Sequence, residues 1–248
     1  MKKNQDFKNE ALAALKGNWT KAVLATLIYF FLCSLALGPS IYSSMELQEY
    51  MQDAIGGSYG SSSAHKIASL ITDPAYHTLL ARNNGASSAN MLLQIFLLVP
   101  LTVGYANALR RLLTLQDDEI VKNTFKISFH NYWHKVWGML LANILLMLWF
   151  LLLIIPGIIK TFSYAMTKYI LEENPELGAS DAIHRSRMMM KGHKFDLFWL
   201  YLSFIGWGLL CILTLGIGFI WLIPYMETAE AAFYEEVKAD YALNGGLA

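Results

Sequence analysis

Four ionisable side chains interrupt otherwise uncharged apolar stretches in the second half of the sequence. Lys160 and Lys168 lie in one stretch, and Glu227 and Glu230 lie in another. A charged side chain at the middle of a bilayer costs about 2.5–3.5 kcal/mol on insertion scales, so such residues pair with one another or serve a function. Glu227 and Glu230 are three residues apart and therefore share one face of a helix. These two carboxylates are the strongest candidates for chemistry in the chain.

An internal repeat supplies a partner for the two carboxylates. At an offset of 61 residues, Gly157, Ile159, Tyr164 and Thr167 are matched by Gly218, Ile220, Tyr225 and Thr228. On this alignment Lys168 corresponds to Ala229, which lies between the carboxylates. We therefore predict one buried polar cluster of Lys168, Glu227 and Glu230, in which each carboxylate is either neutral or paired with the cation. The alternative is that the carboxylates lie near the headgroups and the lysines snorkel to the interfaces.

Two histidines have the spacing of metal ligands. His130 and His134 are four residues apart, which places two imidazoles on one side of a helix. No cysteine or carboxylate stands beside them to complete a ligand set, and the intervening Tyr132 and Trp133 are typical of a membrane interface. We expect no metal site there.

The rest of the sequence contains no recognisable catalytic or cofactor motif. A nucleophile elbow, a phosphate-binding loop, HExxH and CxxC are all missing from it. Cys33 and Cys211 fall within apolar stretches and indicate small buried side chains, not a disulfide or a metal site. Asn107 and Asn143 also lie in apolar stretches and are suited to hydrogen bonds between helices. We expect no cofactor and no enzymatic activity.

The composition indicates that helices embedded in a membrane position these residues. Of 248 residues, 55% are hydrophobic and 15% charged, against roughly 25% charged in an average soluble domain. Uncharged runs cover 22–44, 91–109, 137–159 and 197–226, and about 20 apolar residues of helix cross a bilayer core. The 19 basic and 19 acidic residues balance, which argues against a nucleic-acid partner. We predict an all-α, polytopic protein whose partners are membrane lipids.

Turn residues divide the longest apolar runs into hairpins. Pro156-Gly157 and Gly216–Gly218 interrupt them, and the sequence leaves open whether each is a turn or a kink. As turns, they give six spans in three hairpins, with cytoplasmic amphipathic helices. The predicted division is a cytoplasmic segment 1–21, span 1 at 22–44, an outside Gly/Ser-rich loop 45–90, span 2 at 91–109, a cytoplasmic segment 110–136, span 3 at 137–155, span 4 at 158–171, a cytoplasmic segment 172–194, span 5 at 195–213, span 6 at 218–236, and a cytoplasmic tail 237–248. We expect the loop 45–90 to be mostly disordered, with a short helix around 64–71.

Basic residues alternate between the predicted loops as the positive-inside rule requires. The basic loops contain Lys2, Lys3, Lys8, Lys16 and Lys21, then Arg110, Arg111, Lys122, Lys126 and Lys135, then Arg185, Arg187, Lys191 and Lys194. The loop 45–90 contains only Lys66 and Arg82. We therefore predict a multi-pass protein of the plasma (inner) membrane with cytoplasmic N- and C-termini.

The predicted cytoplasmic segments 1–21 and 172–194 each contain the pattern of a helix. In the first segment, an apolar stripe consists of Phe7, Ala11, Leu15 and Trp19. In the second segment, Ser180 is expected to cap a helix that runs to Met190. Each helix is followed by a Lys-Gly pair, and the glycine of that pair, Gly17 or Gly192, can end the helix. We expect both helices to lie in the membrane interface, where their basic residues either bind lipid or serve only as topology signals.

Several segments resemble a known family. They are LKGNW at 15–19, LIIPGIIKTFSYAMTKYIL at 153–171 followed by EENP, SRMMMKGHKFDLFWL at 186–200, LSFIGW at 202–207, TLGIGFIWLIPY at 214–225, and AAFYE at 231–235. Together they resemble an uncharacterised bacterial integral-membrane family, domain of unknown function 975, over nearly the whole chain except the Gly/Ser-rich loop. More distantly, the architecture is similar to the membrane domain attached to some glycerophosphodiester phosphodiesterases. The resemblance implies a membrane protein and carries no particular activity.

Three functions remain open at this point. We favour a non-enzymatic scaffold or lipid-associated envelope component. The alternative is a transporter or channel subunit with a polar site in span 6, and a lipid-modifying enzyme ranks third. A water-accessible cavity lined by Glu227 would favour transport, whereas a tightly packed bundle would favour the scaffold.

Overall fold

The computed structural model describes residues 2–55 and 69–243, and these residues form α-helices and connecting segments without a β-strand. The helices are α1 (Asn4–Leu15), α2 (Trp19–Ile55), α3 (Pro74–Leu93), α4 (Val99–Leu115), α5 (Ile120–Phe129), α6 (Tyr132–Leu152), α7 (Ile154–Tyr164), α8 (Thr167–Glu173), α9 (Ala179–Met189), α10 (Lys194–Leu202), α11 (Ile205–Leu213) and α12 (Phe219–Leu243). A π-helical segment, Gln94–Leu98, joins α3 to α4. The predicted all-α class is confirmed.

Four of the described helical segments are long and apolar enough to cross a membrane. They are Trp19–Ala54, Pro74–Leu115, Tyr132–Leu152 and Lys194–Leu213. The protein therefore has the apolar helices expected of a membrane-embedded protein. The predicted spans 158–171 and 218–236 fall on α7–α8 and on α12, which are not among these four. The number of spans stays a prediction.

The chain divides into two compact units, Phe30–Leu98 on the one hand and Met1–Tyr29 with Val99–Ala248 on the other. Within Phe30–Leu98, the Asp73 carboxylate accepts a hydrogen bond from the Ala75 N–H at 2.8 Å and so caps α3. Arg82 pairs with Glu46 at 3.0 Å. The expectation of a mostly disordered loop is wrong for 45–55, which continue α2, and for 74–90, where the Asp73 cap and Pro74 start α3. Residues 56–68, with most of the predicted short helix, lie outside the described residues.

In the larger unit, α6 and α7–α8 form an antiparallel hairpin. The paired positions are Lys135 with Glu172, Gly138 with Leu171, Trp149 with Lys160, and Phe150 with Gly157. The chain reverses at Leu153, whose extended backbone separates the two helices. This turn precedes the expected Pro156-Gly157 by three residues. Pro156 instead occupies the first turn of α7, where its missing N–H leaves no hydrogen bond unmade.

A second antiparallel hairpin is formed by α10–α11 and α12. The paired positions are Tyr201 with Glu230, Phe204 with Tyr225, and Cys211 with Gly218. The chain reverses through Leu215 and Gly216, which both adopt positive φ angles of 54° and 87°. A Cβ atom at Gly218 would lie 2.7 Å from Cys211, and one at Gly157 would lie 2.6 Å from Phe150. The repeat in the sequence is therefore a repeated hairpin with the same close approach beside each turn.

The amphipathic helices precede the hairpins in a common pattern. A residue of positive φ ends each of α1, α5 and α9 and redirects the chain into the next helix: Gly17 at 84°, Asn131 at 47° and Gly192 at 96°. The prediction that Gly17 and Gly192 end helices is confirmed. Asn131 does the same between α5 and α6, where the sequence has no glycine to indicate it. Asparagine tolerates this left-handed conformation better than most side chains.

The returning helices α4, α8 and α12 lie side by side and run parallel. Asn107 bonds the Lys168 carbonyl, and the Tyr234 hydroxyl bonds Glu173, both at a sequence separation of 61. Each amphipathic helix covers the returning helix of the preceding repeat. The contacts are Ser128 of α5 against Gly104 of α4, Ser186 of α9 bonded to the Ser163 carbonyl of α7 at 2.9 Å, and Phe7 of α1 against Phe233 of α12 at 5.4 Å. Through these contacts α1 packs on α12, the last helix of the larger unit.

The packing of the amphipathic helices on the returning helices corrects the expectation that their apolar stripes face the membrane interface. Phe7, Ala11 and Leu15 are fully buried in the protein interior and do not face the membrane interface. Ala182 and Ile183 of α9 are likewise buried. The helical period of the apolar residues shows that a helix has one face to bury, but it does not distinguish lipid from protein as the cover.

Candidate functional site

The structure brings the three candidate residues of the polar cluster into direct contact. The Lys168 ammonium on α8 donates hydrogen bonds to Glu227 at 2.8 Å and to Glu230 at 3.1 Å, both on α12. The hydroxyl of Tyr201 on α10 donates to the same Glu230 oxygen at 2.6 Å. The ammonium also lies 5.1 Å from the ring centre of Tyr169. Nothing in the sequence pattern indicates Tyr201, because it lies on a different helix at no regular spacing from the others.

The three charged side chains differ in their exposure to solvent. The exposed fraction is 5% for Glu230, 16% for Lys168 and 29% for Glu227. Burial of a charge is tolerated when good hydrogen bonds replace its water shell, and Glu230 has two such donors. With all groups ionised, two carboxylates and one ammonium leave one negative charge. Of the two carboxylates, Glu227 is the more accessible to a ligand.

A buried asparagine fixes the backbone that carries Lys168. The Asn107 side-chain amide donates to the Lys168 carbonyl oxygen and to the Val103 carbonyl oxygen, both at 2.9 Å. The expectation that Asn107 bonds between helices is confirmed. The next three residues on α8, Tyr169 to Leu171, are almost completely buried. The main chain at Lys168 is therefore held firmly while its side chain reaches across to α12.

A cavity of about 560 Å³ opens beside the cluster, between the hairpins α6–α8 and α10–α12. Lys168, Glu227, Glu230 and Tyr201 line it on one side, and Asn143 also borders it. The other walls are largely apolar and include Met139, Leu146, Phe162, Phe198 and Ile205. This volume is in the range of sites for small molecules, which combine apolar walls with a few polar groups.

Two further clefts lie between neighbouring repeats, and neither is like the first. One has a volume of about 420 Å³. The end of α1 and the start of α2 form one side of it, and the hairpin α11–α12 forms the other. Its lining includes Trp19, Trp207 and Trp221 but no charged residue. The other lies between α2, α4 and α5 and encloses only about 10 Å³. A larger cleft, of about 930 Å³, borders Lys2, Glu10, Asp118 and Glu236 and is charged as well. The cleft beside Lys168 differs from it in combining charged groups with largely apolar walls.

A second ionic network lies further along the same three returning helices. The Arg110 guanidinium on α4 bonds Glu173 on α8 and, at 2.8 Å, Glu235 on α12. Tyr234 at 2.5 Å and Lys238 at 2.6 Å also donate to Glu173. Burial by itself raises the pKa of Glu173, but the bonds from Lys238 and Tyr234 and the charge of Arg110 hold that pKa below its usual range.

Arg110 and Lys135 have a structural role beyond the topology signal that their place in the sequence predicts. Arg110 lies one helical turn after Asn107 and donates to its side-chain oxygen at 3.2 Å, so the i, i+3 spacing was an available signal. Lys135 is fully buried, pairs with Glu172 at 2.5 Å and donates to the His130 carbonyl at 2.7 Å. A basic residue at the end of a span can orient the chain and also hold its helices together.

The remaining candidates lie away from the cluster. His134 bonds the Leu177 carbonyl oxygen through Nε2 at 2.7 Å, and the described residues contain no group of three or more possible metal ligands. Lys160 lies 4.5 Å from the ring centre of Trp149. Cys211 is buried beside Gly218.

Comparison with known proteins addresses the family but not the activity. The family model described as Protein of unknown function (DUF975) matches residues 1–241. No curated protein matches the chain, and no solved structure matches it. The more distant likeness to the membrane domain of glycerophosphodiester phosphodiesterases stays a prediction. A match over nearly the whole length shows that the chain belongs to the DUF975 family.

Proposed function

We propose that this protein is a non-enzymatic, multi-pass membrane protein that binds an amphipathic amine in the cavity beside Lys168. The observation that carries this proposal is the position of Glu227 on the edge of a largely apolar cavity, where it is the most exposed member of a cluster of two carboxylates and one ammonium. A ligand ammonium would form a charge-assisted hydrogen bond with this carboxylate. An alkyl chain would pack on Met139, Phe162 and Phe198. The proposal gives the lipid-associated role a definite ligand chemistry.

Transport is the second candidate, and it is favoured by the breaks in the helices around the cavity. The helix that carries Lys168 is interrupted at residues 165–166, between α7 and α8. The helix that carries Tyr201 is interrupted at 203–204, between α10 and α11. Discontinuous helices at the seam of internal repeats form the substrate sites of many transporters. The test is uptake of dodecylamine into sealed proteoliposomes. Uptake by the wild-type protein that is missing with the Glu227→Gln variant would indicate transport and not binding alone.

Binding of an amine predicts a charge-selective stabilisation of the protein. In lipid nanodiscs, dodecylamine at about 100 times its Kd should stabilise the wild-type protein by about 2.7 kcal/mol, seen as a higher melting temperature. Dodecanoate, of the same chain length and opposite charge, should give no comparable rise. The Glu227→Gln variant should lose the response to dodecylamine, because its side chain cannot form the ionic hydrogen bond.

A matched control variant is available on the same helix. Glu236 has a similar exposed fraction, 25%, but it pairs with Lys2 and does not line this cavity. Glu236→Gln should therefore keep the full response to dodecylamine. Equal stabilisation of Glu227→Gln, or equal effects of the amine and the carboxylate, would contradict the proposal and indicate unspecific partitioning into the bilayer.

We also propose that the protein crosses the plasma membrane six times with both termini in the cytoplasm. The alternation of basic loops supports this orientation, as do two hairpins that return parallel helices to one end of the larger unit. On a background without native cysteines, an impermeant maleimide should label Glu49→Cys on intact cells but His184→Cys only after permeabilisation. Both residues are exposed, and a permeant maleimide should label both. Labelling of His184→Cys on intact cells would reject this topology.

A further inference from the structure

We infer that the ammonium of Lys168 is a built-in competitor for the amine ligand, which must displace it from Glu227. This inference rests on the proposed function and makes Lys168 the residue that sets the affinity of the site. The lysine ammonium and the ligand are both primary ammonium groups with three N–H donors, so both fit the same carboxylate oxygen. In the structure the lysine occupies that position, with Nζ 2.8 Å from Glu227 Oε2.

The cluster can release Glu227 without leaving Lys168 unpaired. Lys168 also contacts Glu230 at 3.1 Å and faces the ring of Tyr169, and both contacts remain when the bond to Glu227 breaks. Glu230 retains its bond from Tyr201 as well. Because Asn107 holds the main chain, the exchange requires only rotation about the flexible bonds of the lysine side chain.

The charge balance favours the exchange for a ligand with a single positive charge. With all three groups ionised, the cluster carries one net negative charge before binding, which is shared between the two carboxylates. When the ligand pairs with Glu227 and Lys168 pairs with Glu230, each carboxylate has one cation and the net charge is zero. The structure therefore selects a monovalent amine, with one position for its charge and apolar walls for its chain.

Competition predicts opposite effects for two variants, measured as the Kd for dodecylamine in nanodiscs. Glu230→Gln leaves Lys168 only Glu227 to pair with, so affinity should fall about tenfold. The double change Lys168→Met with Glu230→Gln keeps the net charge of the wild-type cluster but removes the competitor. If Lys168 occupies Glu227 nine-tenths of the time, this double variant should bind about tenfold more tightly than the wild type.

The outcomes separate this inference from the proposed function. If the wild type does not bind dodecylamine, the proposed function fails, and the inference with it. If the wild type binds but Glu230→Gln binds equally or more tightly, competition by Lys168 is rejected while the binding site stands. Lys168→Gln with Glu230→Gln provides a second test with a polar side chain if the methionine variant does not fold, and it should also bind more tightly than the wild type. Affinity equal to or weaker than that of the wild type in a folded double variant overturns the inference.

Discussion

Replacing Lys168 by methionine should lower the free energy of unfolding by about 3–5 kcal/mol, the usual cost of leaving a buried charge without its partner. The change leaves Glu227 and Glu230 as neighbouring carboxylates that share no cation, and Glu230 is almost completely buried. Thermal unfolding in detergent measures this loss. Lys160→Met is the matched control, because the Lys160 ammonium lies over the Trp149 ring, and a contact of that kind contributes about 0.5–1 kcal/mol.

The same loss should be partly reversed by a second substitution. Glu230→Gln in the Lys168→Met background removes the repulsion and keeps an oxygen that accepts the bond from Tyr201. The double variant should therefore be more stable than Lys168→Met alone. Additive effects in this cycle would mean that the two side chains are solvated independently, and the cluster would then make no joint contribution to the fold.

Replacing Arg110 by methionine should also lower the free energy of unfolding, by about 1.5–3 kcal/mol, the usual contribution of hydrogen bonds to charged groups. The exposed fraction of Arg110 is 12%, and its removal leaves Glu173 and Glu235 without their common cation at the centre of α4, α8 and α12. Lys238 still pairs with Glu173, so the loss should be concentrated on Glu235. The measurement is again thermal unfolding in detergent.

The neighbouring arginine gives a control with the same change of charge. Arg111→Met removes one positive charge from the same helix turn and leaves the network around Glu173 intact. It should change the free energy of unfolding by much less than Arg110→Met. If the two variants are equally stable, the network has no structural role and Arg110 acts only on topology.

The helical class was accessible from the length of the uncharged apolar runs, and the meeting of Lys168 with Glu227 and Glu230 was accessible from the internal repeat. Repeated hairpins place equivalent helices side by side, so residues at equivalent positions come close together. Tyr201 was not accessible, because it comes from the outgoing helix of the hairpin and matches no charged residue in the repeat. Arg110 was hidden for a different reason, since a basic residue at the end of a span also serves the positive-inside rule.

Local composition was a poorer guide in two places. The Gly, Ser and Asn content around Arg82 suggested a flexible linker, but the Asp73-Pro74 start and the pair with Glu46 produce a helix instead. The apolar stripe of α1 suggested a lipid-facing helix, whereas α12 covers it. The start of α3 at Asp73-Pro74 is a local signal that the Gly/Ser-rich composition outweighed. The partner of α1 lies far away in the sequence, and a local pattern contains no information about it.

The packing of α1 on α12 also determines when the protein can become complete during its synthesis. Phe7 and Ala11 leave the ribosome more than 200 residues before Phe233, the ring that Phe7 contacts in the finished structure. Until α12 has been made, the apolar face of α1 has to be sheltered by lipid or by the membrane-insertion machinery. Contacts of such high sequence separation form late and slowly. Although α1 is made long before α12, it reaches the helix that covers most of its apolar face only after α12 has been made, and a chain interrupted before α12 leaves this face exposed to quality control.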